Sequence, residues 1–392
     1  MKKKTPKVLY CNPIFLDYRI PFYMKLHELF QGNFFVLYGT NRYRFRYDRL
    51  LKHIQSTMAG VAFSFNGDHF FNPSTFQFDK VGGGGHFIPI TIGLLKNIHK
   101  HKPDILISEG FFQWTPLVLL YSLIFKKPLF IGYERTLWTE RNIGKFKTWH
   151  RKLTDKFVTG YLVNGSETKK YLMSIGVKDS KIYIGGMNAD GEGLRESIRS
   201  MNAEEKAEIR NRYNTEGLLY LFCGQIIKRK GVAYLLEAWV NHVQRHSKDT
   251  LILVGGGELL DEFKRCYANF PSIHLEGRVE YTHVYKYYAV ADVFILPTIE
   301  DNWSLVIPEA MSCGLPVSTS IYNGCHPELV KKGVNGITFD TFKKESILEA
   351  LDYFHHVDLK AFGQKSIELE KEFNTENCAK RVYDALISVE TT

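Results

Sequence analysis

The stretch DVFILPTIEDNWSLVIPEAMSCGLPV, residues 292–317, predicts one strand–loop–helix–strand unit of an α/β fold. Four apolar residues follow Asp292 and end at a proline, as is typical of a short buried strand. Ser304 is a suitable N-cap for a helix over LVIPEAMSCG. Gly314 and Pro316 are the residues expected just after the end of such a helix.

Three acids flank the predicted start of this helix. Glu300 and Asp301 would lie at the carboxyl end of the strand, and Glu309 about one turn into the helix. Parallel sheets bind ligands at the carboxyl ends of their strands, so these acids are candidate site residues. A solvated loop and a solvated helix face would explain the same acids.

The same alternation of short apolar runs with helical patterns continues along the chain, which predicts βαβ units and parallel sheets. Strand-like runs recur at residues 7–11, 33–39, 103–108, 128–133, 160–164, 218–224, 250–257 and 273–277. We expect two doubly wound Rossmann-like domains, residues 1–190 and 191–372, that face each other across a cleft. Residues 373–392 would form a terminal helix packed back on the first domain. The region from about 41 to 90 fits this rhythm poorly and is expected to hold loops specific to this protein.

Composition indicates a globular chain that is large for a single core, with 392 residues, of which 44% are hydrophobic and 24% charged. Charge is divided unequally: residues 1–190 carry 28 Lys and Arg against 13 Asp and Glu, a net of +15, whereas residues 191–392 carry 23 against 29, a net of −6. A basic half favours an anionic partner, such as a phosphorylated ligand or an anionic membrane surface. Lysines that are merely solvated remain the alternative. The basic residues are dispersed and form no nucleic-acid-binding module, so nucleic acid is not expected.

The longest apolar run, PLVLLYSLIF (residues 116–125), is too short for a membrane span and fits a core helix. The basic start of the chain lacks the apolar core of a signal peptide. The six cysteines are scattered without metal-ligand spacing, which favours reduced thiols. We expect a cytoplasmic protein, with peripheral attachment to the inner face of the membrane left open.

A second candidate site follows the run LLYLFCG (residues 218–224), where QIIKRKG joins a strand to a helix. Its glycines allow close backbone approach, and Lys228, Arg229 and Lys230 add positive charge, so an anion could bind here. A solvated basic turn is equally compatible. The stretch LVGGGEL does not complete a dinucleotide fingerprint, and VGGGGHF (residues 81–87) is expected to be a flexible loop.

Taken together, these motifs resemble the retaining GT-B glycosyltransferases of family 4. DNWSLVIPE is similar to the E-x7-E signature of that family, with Asp301 in place of the first glutamate and Glu309 as the second. FCGQIIKRKGVAYLLEAW, LILVGGGEL and GCHPELVKKGVNGITFD match in order along the C-terminal half, and the N-terminal half matches more loosely. The resemblance implies a GT-B fold and a nucleotide-diphosphate sugar as donor substrate. The sequence has no D-x-D metal motif, so neither metal nor cofactor is expected, and Lys230, its neighbouring cations and the helix start near 304 would take the place of a divalent ion.

The resemblance also implies roles for individual residues. Lys230 would contact the donor diphosphate, Glu309 the ribose hydroxyls and Asp301 the transferred sugar. The remaining donor-site positions are expected to contribute through their backbone or as polar neighbours: Gly224, Gln225, Arg229, Asn302, Trp303, Ser304, Leu305 and Val306. Glu300 is expected to be a solvated neighbour.

Two positions depart from the family pattern. Gln225 stands where an arginine is common, and Lys228 or Arg229 would have to supply the missing charge. Glu134 stands where many members have a histidine, and it would orient the acceptor hydroxyl, act as a base, or pair with a neighbouring arginine, Arg135 or Arg141. Asn188 and Asp190 are expected to shape the connection between the domains.

The expected activity is retaining transfer of a hexose-type sugar to a hydroxyl of a glycan or lipid-linked oligosaccharide, in cell-surface polysaccharide or lipopolysaccharide synthesis. The leaving phosphate would take the acceptor proton, and an anionic membrane surface is a further expected partner. The alternative is a catalytically silent GT-B protein that binds a sugar nucleotide or a partner.

Overall fold

The structure is a computed structural model, and it describes residues 5–15, 17–40, 47–72, 77–79, 88–187 and 191–389. Its strands are β1 (Val8–Asn12), β2 (Phe34–Gly39), β3 (Ala62–Phe65), β4 (Asp68–Asn72), β5 (Gln77–Asp79), β6 (Ile88–Thr91), β7 (Ile105–Glu109), β8 (Leu129–Tyr133), β9 (Gly160–Val163), β10 (Ile182–Ile184), β11 (Leu219–Cys223), β12 (Thr250–Val254), β13 (Ile273–Gly277), β14 (Val293–Leu296), β15 (Val317–Ser320) and β16 (Gly336–Phe339).

The helices surround these strands on both faces of the two larger sheets. They are α1 (Ile20–Leu29), α2 (Tyr47–Thr57), α3 (Leu94–His101), α4 (Thr115–Phe125), α5 (Lys145–Asp155), α6 (Ser166–Ser174), α7 (Gly191–Ser200), α8 (Ala203–Asn211), α9 (Val232–His242), α10 (Leu260–Cys266), α11 (Tyr281–Tyr288), α12 (Val306–Ser312), α13 (His326–Leu329), α14 (Lys344–Tyr353), α15 (Leu359–Lys371) and α16 (Thr375–Ser388).

The first domain is built on a parallel sheet with the strand order β10-β9-β8-β7-β1-β2-β3. Its central strands are apolar on both faces because helices cover both, and every residue of β1 and β8 is buried. Strand β1 pairs with β2 on one side and with β7 on the other, which aligns the carboxyl ends of these strands along one edge.

The region from 41 to 90 is more regular than expected where the structure describes it. It contributes α2, the edge strand β3 and a small antiparallel sheet with the order β5-β4-β6. The expectation of loops was wrong here, because the β-rich segments pair with one another and with β2. Residues 81–87, expected to be a flexible glycine loop, lie outside the described residues.

The second domain contains a parallel sheet with the order β13-β12-β11-β14-β15-β16. Strand order reverses between β11 and β14, so the loops after these two strands open onto a shared crevice. These are the loops that carry the two candidate sites found in the sequence. The prediction of two doubly wound α/β domains is confirmed.

The last two helices connect the domains a second time. Helix α15 packs on the second domain, where a Cβ at Gly363 would come within 2.0 Å of the Gly314 carbonyl oxygen. Helix α16 packs on α1 of the first domain, with the rings of Phe30 and Tyr383 4.8 Å apart and Leu386 fully buried. Among the described helices, none has both the length and the apolar character needed to cross a bilayer.

Candidate active site

The loop after β14 carries Asp301 at the carboxyl edge of the second sheet. Two backbone hydrogen bonds fix it there: the Asp301 N–H donates to the Tyr322 carbonyl (3.3 Å), and the Gly324 N–H donates to the Asp301 carbonyl (2.9 Å). The helix after this loop begins at Val306, with Leu305 at the N-cap and no side-chain cap. The expectation that Ser304 caps the helix was therefore wrong.

Ser304 has a different role in the fold. Its N–H donates to Oδ1 of Asn323 (3.4 Å), and the residue is buried, so it ties the loop to the neighbouring connection after β15. The predicted end of the helix is confirmed, because Gly314 adopts φ +82°, a left-handed conformation that suits glycine, and its N–H donates to the Met311 carbonyl.

Lys230 and Asp301 form an ion pair between the loops after β11 and β14. The Lys230 Nζ atom lies 2.5 Å from Oδ2 of Asp301, and the side chains are only 12% and 13% exposed. Close packing of the two loops brings them together, since a Cβ at Gly231 would stand 1.9 Å from the Pro297 carbonyl oxygen. Gly231 also has φ +69°, so both the close contact and the left-handed backbone conformation require glycine at this position.

The electrostatics of Asp301 are set by its cationic neighbours. Burial acts to raise the pKa of Asp301, but Lys230, Ser304 and Arg229 together outweigh it, so the pKa lies below its usual value. Arg229 lies 3.4 Å from the same carboxylate oxygen and also donates to the Glu300 carbonyl (2.7 Å). The carboxylate is ionised at neutral pH, and two cations stand beside it.

Glu309 is held by two tyrosines from α11. Tyr288 donates to its Oε2 atom (3.1 Å) and Tyr281 to its Oε1 atom (3.3 Å). Glu309 is 8% exposed, whereas Tyr281 is half exposed, so this carboxylate lies at the floor of the crevice with Tyr281 at its rim. Sequence reasoning missed both tyrosines, although α11 directly precedes the strand that carries Asp301.

Gln225 and its neighbours form the outer part of the loop after β11. Gln225 is exposed, and the backbone N–H of Gly224 donates to the Val254 carbonyl (2.9 Å). The two cations expected to replace the missing arginine, Lys228 and Arg229, are both exposed, and Arg229 contacts the Asp301 loop.

Trp303 and Asn302 are more buried than residues of a solvent-exposed loop would be. The Nε1 atom of Trp303 and the Oδ1 atom of Asn302 are buried without a hydrogen-bond partner in the described part of the chain. Leu305 is half-buried at the start of α12, as is Val306.

On the first domain, Glu134 follows β8 at the carboxyl edge of the sheet. Burial raises the pKa of Glu134, and the neighbouring Glu109 carboxylate adds to the rise while Arg19 opposes it. The suggested partners of Glu134 are engaged elsewhere, because Arg135 pairs with Glu140 (3.3 Å) and Arg141 with Glu300 (2.8 Å). Arg141 is thus bonded to Glu300 instead, whereas the charge of Arg135 still acts on Glu134 and opposes the rise in its pKa.

Glu134 lines an open pocket whose wall also contains an unforeseen charged group. Arg19 bonds Glu109 (3.2 Å), and the hydroxyl of Tyr10 donates to the same carboxylate. Glu109 directly follows the run PDILIS, so its position at a strand end was visible in the sequence, but no motif distinguished it.

The two sides of the cleft touch through the segment after β8. Trp138 donates from Nε1 to the Ile299 carbonyl (2.8 Å), and its ring lies 4.3 Å from that of Tyr322. Arg141 bonds the Glu300 carboxylate, so Glu300 is an interdomain contact and not the solvated neighbour expected. Asn188 and Asp190 lie outside the described residues.

Comparisons with known proteins agree with this architecture. Residues 217–355, about a third of the chain, match the family described as Glycosyl transferases group 1. The alpha-monoglucosyldiacylglycerol synthase of Acholeplasma laidlawii is 26% identical over 241 residues, 56% of this chain and 58% of that protein. An O-antigen biosynthesis glycosyltransferase of Escherichia coli is 25% identical over 216 residues, 53% of this chain and 56% of that protein. The chain thus spans about half the length of these curated relatives.

Among solved structures, the Anabaena protein HepE in complex with UDP superposes with a TM-score of 0.72 at 14% identity, covering 97% of this chain and 100% of that one. The fold is therefore GT-B. The predicted resemblance to GT-B glycosyltransferases is confirmed, and residues 217–355 are similar to the glycosyl transferases of group 1. Membership of family 4 stays a prediction.

Proposed function

We propose that this protein is a retaining glycosyltransferase that moves a hexose-type sugar from a nucleotide-diphosphate sugar to a hydroxyl of a glycan or lipid-linked acceptor. The observation that supports this most strongly is the buried Lys230–Asp301 pair at the switch point of the second sheet, with the tyrosine-bound Glu309 beyond it. A nucleotide-diphosphate sugar has a diphosphate between a sugar and a ribose. Cationic side chains suit the diphosphate, and carboxylates suit the hydroxyls of the sugar and the ribose.

In this proposal Lys230 stabilises the leaving diphosphate. Negative charge grows on the phosphate as the bond from the anomeric carbon to oxygen breaks, and a cation already in place lowers the cost. Asp301 accepts hydrogen bonds from the transferred sugar, and Glu309 from the ribose hydroxyls. The positive charge comes from Lys230 and Arg229, so the reaction is expected to proceed in the presence of a chelator.

The acceptor would bind in the cavity of the first domain, with its hydroxyl beside Glu134. The acceptor oxygen bonds to the anomeric carbon on the same face from which the diphosphate leaves. The proton of the acceptor hydroxyl passes to the leaving phosphate, so no covalent enzyme intermediate forms. Glu134 then positions the hydroxyl more than it reacts.

The names of the relatives support a surface-glycan or lipid acceptor. One acts in O-antigen biosynthesis and another is a synthase of a glucosyl diacylglycerol. The net charge of +15 on residues 1–190, counted as 28 cations less 13 anions, fits a lipid-linked acceptor at an anionic membrane on the cytoplasmic side.

The first test is a thermal-shift screen over UDP-, GDP-, ADP- and dTDP-sugars, because a ligand bound only by the native state raises the melting temperature. The donor found in this way is then assayed for hydrolysis without acceptor. We expect Lys230→Ala and Glu309→Ala to abolish hydrolysis, and Lys228→Ala, a neighbouring exposed lysine, to retain it. Binding without hydrolysis or transfer in the unaltered protein would contradict the enzyme and favour the silent binder.

A further inference from the structure

Helix α5 presents its apolar residues to solvent. Phe146 is 70% exposed, Trp149 57% and Leu153 38%, and their spacing of three and seven residues puts them on one face of the helix. Phe157, in the turn after the helix, is 48% exposed. Large apolar side chains grouped on a surface mark a binding site for another molecule.

The inner face of α5 is polar, which is the reverse of an ordinary surface helix. Its buried residues are Arg151 and Thr154. Arg151 forms an ion pair with Glu140 (2.9 Å), and its guanidinium lies 5.4 Å from the centre of the Phe111 ring. Turning the helix to bury Phe146 would break this pair and leave the buried Glu140 carboxylate with the exposed Arg135 as its remaining cation. The fold therefore fixes the outward direction of the aromatic residues.

Lysines run along one side of this apolar face. Lys145, Lys152 and Lys156 are exposed and recur at seven and four residues, so they share one flank. The acid of α5, Asp155, is paired with Lys181 (3.2 Å). The exposed surface of the helix is thus aromatic and cationic.

Helix α4 extends the surface. It covers the same buried cluster as the segment after α5, through Trp114 and Val118 on one side and Val158 on the other. Its outer face exposes three large aliphatic side chains and ends in an exposed lysine: Leu120, Leu123, Ile124 and Lys126.

We propose that α5, together with the outer face of α4, docks this protein on an anionic lipid bilayer. Aromatic side chains beside lysines suit the boundary between acyl chains and acidic headgroups. A protein partner is less favoured by this composition, because lysine is depleted from protein–protein interfaces. Docking stands independently of the proposed activity.

The position of α5 in the chain indicates which edge of the first domain would face the bilayer. The helix follows β8 through the segment that contains Glu134 and Trp138, so its first turn emerges at the same edge of the sheet as the open cavity. A bilayer against Phe146 and Trp149 would lie beside that cavity. If the proposed function holds, the acceptor pocket faces the lipid surface.

Cosedimentation with phosphatidylcholine vesicles, with and without phosphatidylglycerol, tests the proposal. We expect the full chain to sediment with the anionic vesicles only, and the partition coefficient to fall at least about tenfold in a Phe146→Ser, Trp149→Ser double variant. Replacing Lys145, Lys152 and Lys156 by Gln is expected to weaken binding and to flatten its salt dependence. Ile92→Ser, at a position 68% exposed elsewhere on the domain, is the apolar control.

Trp149 supplies a second readout, since the other four tryptophans are buried or half-buried. Lipids with brominated acyl chains are expected to quench part of the tryptophan fluorescence of the unaltered protein. The Trp149→Phe variant lacks that part, so its fluorescence should not be quenched. Unchanged melting temperatures would show that the variants fold. Three results would overturn the proposal: no affinity for anionic vesicles, equal affinity in the double variant, or self-association in the absence of lipid that the double variant abolishes. If the unaltered protein binds vesicles but does not hydrolyse any donor, the proposed glycosyltransferase activity is contradicted and the docking proposal is not.

Discussion

The Lys230 Nζ atom lies 2.5 Å from the Asp301 Oδ2 atom, which joins the loops after β11 and β14 across the switch point of the second sheet. The charges are in position before any donor arrives, which is the condition for electrostatic stabilisation of a leaving group at low cost.

The ion pair should be visible in stability as well as in activity. In a double-mutant cycle of Lys230→Met and Asp301→Asn, we expect a coupling of about 1–3 kcal/mol in the free energy of unfolding, measured with urea. Since the pKa of Asp301 is lowered in the folded state, this contribution is present above the unfolded-state pKa of about 3.9 and is lost as the pH falls through the folded-state pKa. Additive single variants would contradict the coupling.

The tyrosine pair on Glu309 should affect donor binding more than turnover. Tyr288→Phe removes one hydrogen bond to the carboxylate, and a loss of about 1 kcal/mol would raise the donor KM about fivefold with little change in kcat. Tyr287→Phe is the matched control, because Tyr287 lies on the same helix but bonds Glu276. Equal effects of the two variants would rule out a specific role for Tyr288.

The raised pKa of Glu134 predicts an acid limb in the pH profile. If the ionised carboxylate holds the acceptor hydroxyl, kcat/KM falls as the pH drops through a pKa above the usual glutamate value. Glu134→Gln should lower kcat/KM and remove that limb, while donor hydrolysis without acceptor is retained. An unchanged limb in the variant would assign it to another group.

The steric effect of the close contact at Gly231 can be measured separately from the effect of its backbone conformation. Gly231→Ala should destabilise by about 2 kcal/mol or more, because the new methyl group would meet the Pro297 carbonyl and the residue has a positive φ. Gly333→Ala has a similar φ of +78° but open space around it, so it should cost only about 1 kcal/mol. Chemical denaturation of both variants measures the difference, and equal losses would exclude a steric contribution.

The fold was predictable because strand-like runs and helical patterns alternate along most of the chain, and buried strands such as β14 differ clearly from the loops that follow them. The region from 41 to 90 was not, because its antiparallel strands have only 5, 3 and 4 residues, and a strand that short is determined by its pairing partners more than by its own sequence. Ser304 has the chemistry of an N-cap, but the helix begins at Val306 with Leu305 at the N-cap, and Asn323 from another connection accepts a hydrogen bond from the Ser304 N–H.

The candidate site was predictable where a local motif carried it, as for Lys230, Asp301 and Glu309. It was not predictable where residues meet only through the tertiary fold. Arg19 and Glu109 come from separate units and bond beneath the cavity, and Arg141 reaches Glu300 on the other domain. The outward face of α5 also depends on a buried pair, Arg151 and Glu140, that composition does not reveal.

The packing of α16 on α1 means that the chain passes between the domains twice, first between Met187 and Gly191 and again between α15 and α16. With a single crossing, the second domain could swing in any direction. With two, the motion that stretches neither connection is a rotation about the line through both crossings. We therefore expect the cleft between Glu134 and Asp301 to widen and narrow along one arc, which would bring the two half-sites back to the same alignment at each closure.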